Sequence, residues 1–264
     1  MMTAHETLDR YFSIRLCVSL PDLKPGQVAV ATCHGRTYQE RGHGMTRLFW
    51  ALHLGDRAAV SVHPAALAEV SRLAWKIAPA EVLEDEFCEK AALALQSALA
   101  EPGLRAGSQG VKLYHPGDAM PVPTDGEIRA LTELDEGSWV GKREYLSAAQ
   151  HPSALRGEAF GLFVDGRRIA DIITHEPSVA VMAERIAEDG IEVAEDCRGR
   201  GYGKALLAHW TREMQARGRV CIHGTSAANE ASIALARAVA YVEYGRTRSV
   251  SYAPPGDGRE VPAS

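Results

Sequence analysis

Hydrophobic and polar positions follow two different periods in the second half of the chain. Short apolar runs with strand-like alternation predict strands at residues 158–164, 167–175, 191–194, 220–225, 242–244 and 246–252. The first two runs flank Asp165-Gly166, a dipeptide typical of two-residue β-hairpin turns. Asp189-Gly190 predicts another turn of this kind, which leads into Ile191.

Two segments whose apolar residues recur at helical spacing separate some of these predicted strands. Ala205, Leu206, Trp210 and Met214 fall on one face of a helix that follows the 191–194 run. Residues 226–236 open with polar positions and continue rich in alanine, which predicts a second helix after the 220–225 run.

The first half of the chain predicts a smaller α/β unit. Apolar runs predict strands at 14–20, 27–33 and 111–114, a hairpin around Gly55-Asp56 between 48–54 and 58–63, and helices at 67–77 and 82–100. Three prolines and two glycines in residues 115–126 indicate a linker. We therefore predict an N-terminal domain (1–114), a linker (115–126), a C-terminal domain (127–253) and a disordered Pro/Gly-rich tail (254–264).

Composition narrows the class of protein. The chain has 264 residues, 46% hydrophobic and 24% charged, with a net charge of -5, which argues against a nucleic-acid partner. No apolar run has membrane-spanning length, and residues 1–10 do not resemble a secretory signal. Five scattered cysteines without a Cys-x-x-Cys pair indicate reduced thiols, so we expect a cytoplasmic protein. We also expect a monomer or a homodimer. We expect no metal, because no zinc-ligand set is recognisable.

The chemistry concentrates in a glycine-rich turn between the 191–194 strand and the following helix. This turn reads Arg198, Gly199, Arg200, Gly201, Tyr202, Gly203, Lys204. A helix start presents backbone N–H groups without internal partners and a partial positive charge, and glycines let a ligand approach the backbone closely. The turn therefore predicts an anion site, most often one for phosphate.

Two common phosphate motifs do not fit this turn. A Walker loop requires Ser or Thr after Gly203-Lys204, where Ala205 stands, and a glycine where Arg198 stands. A dinucleotide fingerprint fits Gly199 and Gly201, but its third glycine falls on Lys204.

The turn instead resembles the acetyl-CoA pyrophosphate loop of the GNAT superfamily of N-acetyltransferases, whose pattern is Arg/Gln-x-x-Gly-x-Gly/Ala. Downstream, Asn229 and Ser232 match the family's Asn followed three residues later by Ala or Ser, while Ala240-Tyr241 departs from its closing Gly-Phe. The resemblance covers roughly residues 127–252. It implies an α/β (α+β) fold with a mixed, mostly antiparallel sheet flanked by helices. The first half is loosely compatible with a degenerate unit of the same kind.

The resemblance also implies a set of residues that bind acetyl-CoA. The turn would hold the pyrophosphate, and backbone groups of the preceding strand, which splays from its neighbour, would hold the pantetheine and acyl carbonyl. These cofactor-binding residues are Val193, Ala194, Arg198, Gly199, Arg200, Gly201, Tyr202, Gly203, Lys204, Asn229 and Ser232.

Amine acylation needs a base for the amine and an acid for the leaving thiolate. Glu192, on the strand before the turn, is the first candidate for the base, against the alternative of a solvated or paired strand carboxylate. Glu158, Glu195 and Asp196 are weaker candidates that read as surface charges. The tyrosine acid found in many family members is replaced by Ala236, so Ser232 is the second catalytic candidate.

Three tyrosines are alternatives for the missing acid, namely Tyr202, Tyr241 and Tyr244, although Tyr241 reads as a packing residue. The leading hypothesis is an acetyl-CoA-dependent N-acetyltransferase that acts directly on a primary amine of a small molecule or peptide. The alternatives are a non-catalytic acyl-CoA-binding or regulatory module and an enzyme with a longer acyl donor. The acceptor itself is not readable from the sequence.

Overall fold

The computed structural model describes residues 2–37, 46–139 and 148–251, and the predicted tail at 254–264 lies outside them. In that part of the chain there are six α-helices and eleven strands. The helices are α1 (Ala4–Leu16), α2 (Leu67–Ala74), α3 (Asp85–Leu99), α4 (Pro152–Leu155), α5 (Tyr202–Ala216) and α6 (Glu230–Arg237). The strands are β1 (Val28–Thr32), β2 (Arg47–His53), β3 (Ala58–Val62), β4 (Arg105–Ala106), β5 (Gly110–Tyr114), β6 (Glu127–Ala130), β7 (Phe160–Val164), β8 (Arg167–His175), β9 (Ile186–Val193), β10 (Val220–Ser226) and β11 (Val242–Ser251).

One sheet joins the two halves of the chain. Its strand order is β1-β3-β2-β11-β5-β10-β9-β8-β7-β6, with β4 also paired to β11. The β1–β3 and β9–β10 pairs are parallel, and the other neighbours are antiparallel. The predicted fold class, a mixed and mostly antiparallel sheet flanked by helices, is therefore confirmed.

Strand β5 comes from the first half of the chain but lies between two strands of the second half. Val111 is opposite Thr225 of β10 on one side and Arg246 of β11 on the other. The irregular segment 115–126 then packs on α5, where the Gln215 side chain accepts a hydrogen bond from the Ala119 N–H at 2.9 Å. The division into domains stays a prediction, since backbone pairing runs without a break across it.

The helices cover the two faces of the sheet unequally. Helices α2, α3, α5 and α6 pack on the face that carries Val111, Ala187 and Cys221, which we call the α5 face. Helix α1 packs on the opposite face, which carries Ile186 and Ile222 and which we call the α1 face. No helix in the described ranges has the length and apolar character needed to cross a bilayer.

Helix α1 replaces the strand predicted at residues 14–20. Thr3 and Glu6 form a capping box at its start, and the buried Leu8, Phe12 and Leu16 recur at helical spacing. The alternation at 14–20 was misleading because the capping signal lies upstream of it, and packing of one helix face outweighs a short alternating run.

Two turn and strand predictions near the C-terminus also need correction. Asp189-Gly190 is not a turn but the middle of β9, because β9 and β8 pair continuously from Glu188 to Val193. The two predicted closing strands form one strand, β11, which absorbs a register shift near Gly245. In contrast, the Asp165-Gly166 hairpin is confirmed, with both residues at positive φ.

Gly245 tests the junction between the halves of the sheet. A Cβ at this position would lie 2.7 Å from the carbonyl oxygen of His53 on β2, which is a fixed backbone atom. Gly245→Ala should therefore lower the free energy of unfolding by about 1–3 kcal/mol in denaturant titrations. Gly117→Ala, where no atom lies within 4 Å of the added Cβ, should stay within about 0.5 kcal/mol of the parent. Equal effects of the two changes would contradict the β2–β11 junction.

Candidate active site

A cleft opens in the sheet where β9 and β10 stop pairing. Their parallel pairing covers only three residue pairs and ends at Ile222 opposite Glu188. Beyond that point β9 remains paired with β8, and β10 with β5. The space between residues 189–193 and 223–226 is the splay cleft, and it is the separation that the sequence resemblance implied.

The glycine-rich turn lies at the end of the splay cleft. Gly199 and Gly201 adopt φ of 76° and 86°, and no heavy atom lies within 4 Å of a Cβ built on either. Gly201 is the N-cap of α5, a helix of 15 residues, so the N–H groups of its first turn have no partner within the helix. Arg198 and Arg200 are exposed beside them and Lys204 is half-buried. The predicted anion site therefore has an open backbone and a positive surround.

Strand β9 offers backbone groups to the cleft at Val193 but not at Ala194. The Ala194 N–H donates to the Ile169 carbonyl at 2.8 Å, and its carbonyl accepts from the Cys197 N–H at 2.9 Å. Because hydrogen-bonded and non-hydrogen-bonded pairs alternate along an antiparallel ladder, the Val193 backbone faces away from β8. Its carbonyl accepts a hydrogen bond from Arg198 Nε at 3.1 Å. Val193 therefore suits the predicted pantetheine contact, whereas the Ala194 N–H is already engaged.

Three other predicted cofactor residues lie around the turn, and only Tyr202 has its side chain inside the protein. Tyr202 is buried in the core between α5 and the sheet, so only its backbone faces the turn. Gly203 packs so closely that a Cβ there would lie 3.2 Å from Val193 and 3.5 Å from Leu235. Asn229 caps α6, and its Oδ1 accepts from the Ser232 N–H at 3.1 Å. These residues shape the site around the turn.

Ser232 is joined to two residues that the sequence reasoning missed. His223 Nε2 lies 2.7 Å from Ser232 Oγ, and His223 Nδ1 lies 3.0 and 2.9 Å from the two Asp189 oxygens. Asp189 is on β9 and His223 on β10, so their contact bridges the splay cleft just beyond its last backbone pair. The Asp189 side chain is fully buried and that of His223 is 3% exposed.

The pKa of His223 reflects two opposing influences. Burial disfavours the imidazolium and by itself lowers this pKa, but the charge and hydrogen bonds of Asp189 raise it. Lys112 lowers it slightly and Glu188 raises it, and the net result is a pKa above the ordinary value of 6.5. Asp189 therefore stabilises the imidazolium form of His223 against the cost of burial.

Glu192 lies on the opposite face of the sheet from the linked side chains of Asp189, His223 and Ser232. Val193 contacts the Gly203 position on α5, whereas a Cβ at Gly190 would meet the His175 ring. Since successive side chains of a strand point to opposite faces, Asp189 and Val193 are on the α5 face and Glu192 is on the α1 face. The candidate base and Ser232 therefore approach the cleft from opposite faces.

The weaker candidates have other roles. Glu158, expected as a surface charge, is instead 3% exposed and held by Arg156, Arg217 and Arg219. The Glu158 carboxylate is thus buried beneath three arginines that stay partly exposed, an arrangement that the sequence spacing did not reveal. Glu195 and Asp196 are exposed, as predicted.

The tyrosines are engaged elsewhere. Tyr241 is buried, and its hydroxyl lies 2.7 Å from Thr211 Oγ1, which agrees with its reading as a packing residue. Burial raises its pKa far above the ordinary value. The Tyr244 hydroxyl donates to Asp9 at 2.7 Å, and burial raises its pKa as well.

The cysteines near the turn are not activated thiols. Partial desolvation and the neighbouring Asp196 raise the pKa of Cys197, although a helix start would by itself lower it. Burial raises the pKa of Cys221 strongly. In the described ranges no group of three or more His, Cys, Asp or Glu is arranged to hold a metal ion.

Comparison with known proteins identifies one family. Residues 128–241 match the sequence profile of the "Acetyltransferase (GNAT) family". No curated protein matches the chain.

The solved structures that the comparison returns are distant in sequence. An acetyltransferase from the GNAT family of Colwellia psychrerythraea is 14% identical over 74% of this chain and 76% of its own, with a TM-score of 0.49. A GNAT-family protein from Novosphingobium aromaticivorans is 21% identical over 57% and 67%, with a TM-score of 0.45. A GCN5-related N-acetyltransferase from Sphaerobacter thermophilus is 17% identical over 61% and 56%, with a TM-score of 0.46.

The buried Asp189–His223 pair should make stability depend on pH in a defined direction. Because the folded-state pKa of His223 is raised, its contribution is complete below 6.5 and is lost as pH rises through the folded-state value. In Asp189→Asn burial and Lys112 lower that pKa against Glu188 alone, so the variant should instead lose stability as pH falls. Removing one partner of a buried pair costs about 3–5 kcal/mol, and the deficit should be larger at about pH 6 than at about pH 8.

Denaturant titrations at both pH values measure this difference. In a His223→Gln background, Asp189→Asn should lose the pH dependence of its deficit. The same deficit at both pH values in the parent background would contradict the ion pair.

Proposed function

Residues 128–241 belong to the acetyltransferase (GNAT) family, and from that premise we propose that the chain transfers the acetyl group of acetyl-CoA directly to a primary amine. The acceptor is a small molecule or the amine of a peptide. The observation that carries this proposal is the position of an open, positively charged turn beside a cleft that has Glu192 on its α1 face and Ser232 on its α5 face.

The residues of the turn fit the donor. A pyrophosphate requires backbone N–H donors and positive charge, and the first turn of α5 with Arg200 and Lys204 supplies both. The narrow pantetheine arm requires a slot with backbone partners, and the splay cleft beside Val193 is such a slot. The donor would thus enter from the α5 face.

The acceptor would approach from the α1 face. A primary amine is protonated at neutral pH, with a pKa of about 10, and must lose a proton before it attacks a thioester. Glu192 lies on this face of β9, opposite Asp171 of β8. Glu188, on the same face, forms an ion pair with Lys112 of β5. We propose that Glu192 removes the amine proton, directly or through water.

The division of labour follows from the geometry of the sheet. In direct transfer the amine nitrogen must reach the thioester carbonyl carbon while acetyl-CoA is still bound. A gap between two strands allows this, because one reactant reaches the gap from each face. Acyl transfer should therefore pass through a ternary complex, without an acyl-enzyme.

Gly201 tests the assignment of the turn to the pyrophosphate. Gly201→Val places a branched side chain where the backbone must contact the ligand, so calorimetry should show acetyl-CoA affinity reduced at least about 100-fold. Gly218→Val is the matched control, because Gly218 lies at the other end of α5 with φ of 76° and no atom near its Cβ position. It carries the same backbone strain and should bind acetyl-CoA normally. Equal affinities for the two variants would refute the assignment.

Substitution of Glu192 tests whether this carboxylate is the general base. Glu192→Gln should lower kcat by about 10²–10⁴-fold and flatten the rise of rate with pH, because the amide accepts no proton. The assay is amine-dependent release of CoA thiol over a panel of primary amines. Glu195→Gln, an exposed carboxylate just beyond β9, should leave the rate profile unchanged. If the Glu192→Gln profile matches the parent profile, Glu192 is not the base.

A further inference from the structure

Asp189, His223 and Ser232 form a continuous hydrogen-bonded chain that ends at the splay cleft. Asp189 holds Nδ1 of His223 through both carboxylate oxygens, so that nitrogen carries a proton. The other ring nitrogen, Nε2, lies 2.7 Å from Ser232 Oγ. The three residues come from β9, β10 and α6, and no regular secondary-structure hydrogen bond requires their side chains to meet.

Ser232 occupies the part of α6 that faces the cleft. It lies one helical turn before Leu235, whose methyl carbons are 3.5 Å from the Cβ position of Gly203 in the glycine-rich turn. Residues three apart on a helix share a face. The Ser232 hydroxyl is therefore at the α5-face side of the cleft, the side from which the donor would enter.

The charged groups around His223 leave the imidazolium paired mainly with Asp189. On β9 the neighbours are Asp189 and Glu188, and on β5 the neighbour is Lys112, which is itself paired with Glu188. The Tyr241 ring packs 6.2 Å from the imidazole, with its hydroxyl directed to Thr211. Burial opposes the charged ring and Asp189 outweighs it, which raises the pKa of His223.

The state of His223 decides what the Ser232 hydroxyl can do. When the imidazole is neutral, Nε2 accepts the Ser232 proton. When the ring is an imidazolium, Nε2–H donates to Ser232 Oγ, and the Ser232 O–H is then free to donate to a third atom. In this second arrangement the serine hydroxyl can donate its proton and take another from the imidazolium, which is the stronger acid.

The proposed transfer needs such a donor on this side of the cleft. Departure of a thiolate leaves an electron pair on sulfur that a proton must neutralise. Ala236, at the position of the family's tyrosine acid, is buried and has no proton to give. The hydroxyls of Tyr241 and Tyr244 are engaged with Thr211 and Asp9.

We propose, on the basis of the function proposed above, that Ser232 is the catalytic acid of this site and that His223 and Asp189 are positioning residues. His223 returns a proton to Ser232, and Asp189 holds the His223 ring in place. The amine nitrogen bonds to the carbonyl carbon, and the carbon–sulfur bond breaks with its electron pair on sulfur. The Ser232 hydroxyl proton moves to sulfur, and the His223 Nε2 proton moves to Ser232 Oγ. Asp189 stays ionised, and the neutral imidazole regains a proton from solvent after product release.

Kinetics of four variants test the relay. Ser232→Ala and His223→Gln should each lower kcat for amine acetylation by about 10²–10⁴-fold, with the KM for acetyl-CoA within about threefold of the parent. Ser232→Thr keeps a hydroxyl and should restore most of kcat. Thr247→Val removes a buried hydroxyl on β11, which does not border the splay cleft, and should retain the parent pH profile.

The pH profile separates a proton relay from a merely structural role. In the parent protein kcat should fall at high pH as the His223 imidazolium is lost, and this falling limb should be absent in His223→Gln. A purely structural histidine would lower kcat and leave the falling limb in place. Persistence of that limb in His223→Gln would overturn the proposal.

A binding measurement separates failure of the relay from failure of the proposed function. The pKa of the CoA thiol in the bound complex, followed by ultraviolet absorbance of the thiolate, should rise in Ser232→Ala and in His223→Gln. No change in either variant, while the parent acetylates amines, would overturn the relay alone. No CoA binding by the parent would overturn the function and the relay together.

Mass spectrometry distinguishes the acid from a nucleophile. After incubation of the parent protein with acetyl-CoA and no amine, Ser232 should be unmodified. An acetyl ester on Ser232 that an added amine discharges would show that this hydroxyl attacks the thioester, and would overturn its role as an acid.

Discussion

The structure of this site depends on the point at which β9 and β10 stop pairing. Backbone hydrogen bonds join the two strands as far as Ile222 and Glu188, and unpaired backbone groups beyond that point would be costly if they were simply buried. At the open end of the gap Arg198 donates to the Val193 carbonyl, and at the closed end the Asp189 and His223 side chains pair with each other across it. The same separation leaves room for a ligand.

This arrangement explains why ionisable groups accumulate at an otherwise apolar centre. Desolvation makes an unpaired buried charge unfavourable, and two oppositely charged pairs lie at the closed end of the gap. Lys112 pairs with Glu188 on the α1 face, and His223 pairs with Asp189 on the α5 face. Lys112 comes from β5, so a strand of the first half of the chain contributes to the charge balance of the site.

The local parts of the site could be predicted from the sequence, and the long-range parts could not. The glycine-rich turn depends on neighbouring residues and lies where the spacing placed it, whereas the helix expected over 226–236 begins only after the Asn229 cap. Asp189 and His223 are 34 residues apart and meet only because β9 and β10 pair in one parallel register. A polar residue inside the apolar run 220–225 was the one available signal for His223. The insertion of β5 between β10 and β11 had no local signal, because strand order is set by packing across the whole sheet.

The most direct measurement is a crystal structure of the protein with bound acetyl-CoA. The account predicts the pyrophosphate on the N–H groups of the 199–203 turn and the pantetheine in the splay cleft beside Val193. It also predicts the thioester sulfur within hydrogen-bond distance of Ser232 Oγ, with the acetyl group open to the α1 face. Acetyl-CoA bound outside the splay cleft, or with its sulfur remote from Ser232, would contradict it.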